Sequence, residues 1–127
     1  MSRFITITVL ESSQQRCLNA DWIAFFREDG APHFRTWIKR IQGGRVLAGC
    51  SAKELHVRFP EAVALENSVG DDGGSVTTYV NKAAVLEVTP FVDPKSGCCV
   101  YVQTQDGAVE IRLKQPIETV LEKLGIT

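Results

Sequence analysis

The sequence predicts an α+β chain of two tandem β-rich repeats, each ending in a short helix and packed against the other by pseudo-symmetry. Three observations predict it. First, residues 54–66, ELHVRFPEAVALE, return without a gap fifty-six positions later as residues 110–122, EIRLKQPIETVLE. Glu54, Pro60, Leu65 and Glu66 meet identical residues at Glu110, Pro116, Leu121 and Glu122, and Leu55/Ile111, Val57/Leu113 and Arg58/Lys114 are conservative pairs. Second, stretches such as FITITVL at residues 4–10 alternate with period two and are rich in β-branched residues, as half-buried strands are. Third, residues 116–124 start at a proline and repeat apolar residues at helical spacing. A chain of 127 residues is short for two independent domains, because a half-length fold buries too little surface. The repeats are therefore expected to share a core or an interface.

Residues 4–10 read as a strand with Ile5, Ile7 and Val9 on one face. Residues 11–15 are a polar turn, and residues 17–27, CLNADWIAFFR, hold a second strand with a kink at Asn19, a residue type that tolerates left-handed backbone. Trp22, Phe25 and Phe26 crowd this strand. Alternation sends Phe25 and Phe26 to opposite faces, so one face needs cover from the second repeat, the inserted segment or a partner chain. Residues 28–32 are a turn. In HFRTWIKRIQGG, residues 33–44, Phe34, Trp37, Ile38 and Ile41 fall at i, i+3, i+4 and i+7. Pro32 suits a first helical position and Gly43 a cap, which favours a short helix over the strand alternation of Phe34, Thr36 and Ile38. Residues 45–50 and 54–59 read as a strand pair around 51–53, and Pro60 opens a short helical stretch through Glu66. The Gly- and Asp-rich stretch 67–75 has nothing to bury. The organisation is thus a first repeat over 1–68 carrying an insertion at 32–44, a linker at 69–75, and a second repeat over 76–127.

The second repeat follows the same plan. Residues 75–80 form a strand. Asn81 stands where Asn19 stood, with Val85 and Val88 matching Ile23 and Phe26 at an offset of 62. The six-residue difference from the first offset falls in the 33–44 segment. PKSG at 94–97 is a turn, 98–104 a strand, and Asp106-Gly107 a tight hairpin from which 109–114 pairs back. The closing helix puts Ile117, Val120, Leu121 and Leu124 on one face, with Gly125 beyond its end, so that Leu121 is expected to be buried.

Asn81, Val85, Val88, Asp106, Gly107, Ile111, Leu113, Glu118, Val120 and Leu124 together carry a resemblance. The second half, and more faintly the first, resembles the small FlbD-like proteins encoded in bacterial flagellar operons. That resemblance implies a small β-rich unit with a terminal helix and supplies no catalytic motif.

Composition narrows the function. A net charge of −1 gives no global field toward DNA or an anionic membrane. The N-terminal residues alternate and lack the apolar core of a signal peptide, and the longest apolar run, 22–26, is far too short to span a bilayer. A cytoplasmic protein with reduced Cys17, Cys50, Cys98 and Cys99, and no membrane partner, is expected. Adjacent Cys98 and Cys99 do not chelate one zinc easily and face opposite ways in a strand, so with Cys50 and His56 they read as structural. Cys17 or Cys50 with His33 or His56 would make a nucleophile pair only if the fold joined them. Asp71 and Asp72 lie in a flexible glycine stretch that holds no acid–base geometry. No phosphate-binding glycine loop is present.

One cluster remains. Arg35, Lys39, Arg40 and Arg45 interleave with Phe34 and Trp37, offering cations and rings on an element that closure of the second repeat does not need. The expected function is a non-catalytic protein-binding module, an adaptor, regulator or inhibitor of a larger assembly, without cofactor or metal, using these six residues. The rival is a nucleic-acid-binding module in which the segment from His33 to Arg45 sets charge against phosphates and rings against bases. A thiol enzyme is the third reading. Homo-oligomerisation is left open.

Overall fold

The structure is a computed structural model that describes residues 3–29, 35–69 and 74–126. The chain opens with β1 (Phe4–Thr8), whose Ile5 and Ile7 are buried while Phe4, Thr6 and Thr8 are exposed, paired antiparallel with β2 (Gln15–Asn19). Asn19 then starts a 3-10 turn, Ala20–Trp22, by accepting the Asp21 N–H at 3.0 Å. The predicted kink is therefore in place, but its cause is this side-chain cap. The Asn19 backbone is extended, with φ −71°, and not left-handed. β3 (Ile23–Asp29), β4 (Arg35–Arg40) and β5 (Val46–Ala48) follow as an antiparallel meander, and α1 (Ala52–Arg58) closes the series.

The chain then runs through β6 (Val63–Val69), β7 (Ser75–Val80), a 3-10 turn at Lys82–Ala84, β8 (Val85–Pro90), β9 (Cys98–Thr104), β10 (Gly107–Leu113) and α2 (Ile117–Leu124). Asn81 caps its turn as Asn19 does, accepting the Ala83 N–H at 3.1 Å. Gly107, at φ 103°, supplies the left-handed position of the β9–β10 hairpin, which glycine adopts without strain. The element order of strand, strand, 3-10 turn, three strands and helix is thus traversed twice. The fold is mostly antiparallel sheet with two short α-helices. The main sheet runs β5-β4-β3-β7-β6-β10-β9-β8. A bridge from Val9 to Ala48 sets the β1–β2 hairpin beside β5, so β2 and β8 are the two ends of the whole series.

Strands β3 and β7 pair at the middle of this order, and both faces are buried where Phe25 and Phe26 meet Val80 and Tyr79. One core gathers Ile5, Ile7, Leu18, Phe26, Ile38, Leu55, Phe59 and Tyr79 from β1 to β4, α1 and β7. The other gathers Phe25, Leu65, Val80, Val100, Val102, Ile111, Leu113, Val120 and Leu124 from β3, β6, β7, β9, β10 and α2. Phe25 and Phe26 face opposite ways as alternation requires, and both faces of β3 find cover within the chain.

Several expectations are corrected. Residues 54–66 and 110–122 do not share a structure: the first spans the end of α1 and the start of β6, the second the end of β10 and most of α2. The thirteen-residue match is one of sequence alone. Residues 54–59 are not a strand, because Ser51 caps α1 by accepting the Glu54 N–H at 3.1 Å and Glu28 accepts the Ala52 N–H at 2.9 Å. Pro60 opens no helix; β6 follows it. Residues 35–40 are β4 and not a helix, since β3 and β5 pair with them on both sides. Residues 33 and 34 lie outside the described residues. The proposed linker 69–75 begins and ends in strand residues, with 70–73 outside the described ones. On α2, Val120 and Leu124 are buried while Leu121 is half-buried.

Candidate functional site

The strand conformation of β4 redistributes the predicted cluster. Thr36 and Ile38 are buried toward the first core, and the Thr36 hydroxyl donates to the Cys50 carbonyl at 2.6 Å. Trp37 and Lys39 take the opposite face, both half-buried. The Arg45 guanidinium stacks over the Trp37 ring at 3.9 Å, a cation–π contact. Arg27 of β3 and Leu47 of β5 stand directly opposite Trp37 on either side. Arg40 leaves this group: its Nε donates to the Gly44 carbonyl at 2.9 Å, and burial together with the nearby Arg16 charge lowers its pKa. The structure therefore joins Trp37, Lys39 and Arg45, separates Arg40 from them, and adds Arg27, which only cross-strand pairing reveals. Phe34 and the Arg35 side chain lie outside the described residues.

Among the described residues no hydrogen bond joins a cysteine to His56, and His33 lies outside them. Cys98 is buried and Cys99 half-buried on opposite faces of β9. Burial pushes the Cys98 thiol up to about 11 and raises Cys50 and Cys99 as well, which is the reverse of nucleophile activation. His56 Nε2 bonds the Ala62 carbonyl at 2.8 Å. Among the described residues no three His, Cys, Asp or Glu side chains gather as a metal site would require.

A second feature was missed by sequence reading. Strand β8 pairs with β9 on one side; among the described residues its other edge pairs with nothing. Along that edge, Val85, Leu86 and Val88 of β8 meet Leu121 and Leu124 of α2 and Ile126 beyond it, lining an open groove of about 440 Å³. Leu86 is 55% exposed and Ile126 43%. Strand β2 is bare in the same way beyond β1. On the exposed face of that hairpin lie Phe4, 61% exposed, Thr6 and Cys17, whose sulfur is 3.5 Å from the Thr6 hydroxyl. The sequence carries no signal for it, because alternation groups Leu86 with Val88 as if on an inward face.

No family model, curated protein or solved structure matches the chain. Among the described residues no helix is long and apolar enough to cross a membrane.

Proposed function

We propose that the chain is a non-catalytic protein-binding module made of two copies of one folding unit, residues 3–60 and 62–126. The twice-traversed element order supports the repeat, as do the shared pairings: β1 with β2 and β6 with β7, the two meanders, and the Val9–Ala48 and Ser68–Leu113 contacts. This reading sets the join before β6 and places Asn19 and Asn81 at equivalent positions. The resemblance to FlbD-like proteins is part of the same proposal, since it implies a small unit without catalytic machinery.

The observation that carries the binding role is the bare β8 edge bordered by an apolar groove. Unpaired strand N–H and C=O groups beside exposed apolar side chains fit a protein that adds a strand and seats side chains in the groove. The raised thiols of Cys50, Cys98 and Cys99 and the bonded His56 give no support to a thiol enzyme. The test is partner capture from the native host by wild type and by Leu86→Glu. Loss of the partner with Leu86→Glu, at unchanged stability, is the expected outcome; undiminished capture would overturn the reading. A second reading rests on Arg45 stacked over Trp37 beside Arg27 and Lys39, a cationic aromatic face that suits single-stranded nucleic acid. It requires salt-sensitive oligonucleotide binding that Lys39→Glu with Arg45→Glu abolishes.

A further inference from the structure

The seam at the middle of the molecule describes what the two ends lack. There β7 lies on β3 with Val80 opposite Phe25, Tyr79 opposite Phe26 and Thr78 opposite Arg27. The Tyr79 ring stacks on Phe26, centroids 5.0 Å apart and planes 9° apart, and meets His56 of α1 at 4.7 Å. It thus fills the slot between the third strand and the helix of the first unit. Asn81 stitches the seam, its backbone N–H donating to the Ala24 carbonyl at 2.9 Å and its Nδ2 to the Ile23 carbonyl at 2.8 Å.

Under the two-unit reading, on which this inference rests, β7 corresponds to β2 and β3 to β8. Those two strands are the bare ends of the series. Phe26, His56 and Phe59 correspond to Val88, Leu121 and Leu124. The β8–α2 groove is therefore the same slot that Tyr79 fills at the seam. Asn19 corresponds to Asn81, and its Oδ1 makes the same cap bond, yet among the described residues its Nδ2 has no acceptor. Ala62, buried in the first core at the seam, corresponds to Phe4, which is 61% exposed. Each molecule thus carries one face of a seam at β2 and the complementary face at β8.

We propose that copies of this chain assemble head to tail, β2 of one molecule adding to β8 of the next in the register that β7 adopts on β3. Cys17 then stands opposite Val88, Leu18 opposite Glu87 and Arg16 opposite Thr89. The Asn19 amide reaches the Val85 carbonyl, Phe4 lies against the apolar groove, and Arg16 comes within diagonal reach of Glu87, its opposite in charge. The two faces differ, so the contact is heterologous: it propagates into a closed ring or an open filament and forms no isologous dimer.

The test is sedimentation velocity of the full chain over a range of concentrations, with two edge-blocked variants. At the seam the Asn81 N–H reaches Ala24, so by alternation Phe26 and Tyr79 also point their backbone groups across it, and Cys17 and Val88 point theirs outward. Cys17→Pro therefore blocks β2 and Val88→Pro blocks β8 without removing a bond inside the chain. Wild type is expected to sediment as a ring or filament and each variant as a monomer. The two variants mixed have one intact face each, and are expected to form a dimer that grows no further. If either proline variant loses the wild-type circular dichroism, the exposed replacements Phe4→Glu and Leu86→Glu take its place. A monomeric wild type at the highest soluble concentration overturns the inference, as does a mixture that stays monomeric while both variants are folded. The broader protein-binding reading survives that result if a host partner is still lost with Leu86→Glu, and falls with it if no partner depends on Leu86.

Discussion

The β3–β7 seam and the β8 edge put the same question to two parts of one molecule. At the seam a strand meets an edge, Tyr79 enters a slot between strand and helix, and Asn81 spends both ends of its amide. At β8 the strand and helix are present, the groove is lined by Val88, Leu121 and Leu124, and nothing among the described residues enters it. Under the proposed two-unit reading Leu86 corresponds to Ala24, which is fully buried where β7 lies across β3, so the exposure of Leu86 is no defect of patterning. On that reading burial depends on where a unit stands in the series as much as on its residues.

The largest expected effect is at the filled slot. Phe26 is fully buried and touches Tyr79 and Phe59, so Phe26→Ala is expected to cost about 3–5 kcal/mol in urea denaturation. At the open end, Leu86→Ala in the monomer is expected to stay within about 0.5 kcal/mol. Equal costs at the two positions would break the comparison. Next comes the inserted ring: Tyr79→Ala is expected to cost about 3 kcal/mol, whereas Cys17→Ala, at the exposed position that the two-unit reading sets against it, leaves the melting curve of the monomer unchanged. The two asparagines give a smaller contrast. Asn81→Ala removes a cap bond and a bond across the seam, about 1–2 kcal/mol together. Asn19→Ala removes the cap bond alone and is expected to cost about half as much.

The smallest expected effect is alkaline. Burial raises the Cys98 thiol to about 11 from an ordinary value near 9.0, so the folded state holds its proton where the unfolded state has released it. The resulting stability is complete below about pH 9 and falls as pH rises toward 11. Cys50, Cys99, Tyr79 and Tyr101 are raised too and add the same sign. Urea midpoints at pH 8 and pH 10.5 are expected to show a smaller fall in Cys98→Ala than in wild type, and thiol labelling at pH 8 is expected to reach exposed Cys17 before Cys98.

What was legible in the sequence was local. Alternation at residues 4–10 and 98–104, the Asp106-Gly107 turn and the proline-led final helix depend on neighbours in the chain, and β1, β9, β10 and α2 stand where they were expected. Asn19 and Asn81, singled out in the sequence as counterparts, each cap a 3-10 turn of their own. The 54–66 match misled because Glu, Leu and Pro recur in many structures; the better signal was Ser51 followed by Glu54, the start of a capping box, which marks a helix at 52–58. Residues 34–41 fit both helical and strand spacing, and what decided for a strand was pairing to β3 and β5, which lies far away in the sequence. The Trp37–Arg45 stack, Arg27 and the β8 groove were illegible for the same reason: each depends on which strand lies beside which.

Amide hydrogen exchange read by NMR at low and high protein concentration tests the correspondence of edge and seam most directly. The account predicts that the Cys17 and Val88 amides exchange freely in dilute solution and slow together as concentration rises, approaching the protection that Tyr79 and Phe26 show throughout. Exchange at Cys17 and Val88 that does not change with concentration, in a chain whose Tyr79 and Phe26 amides are protected, would contradict it.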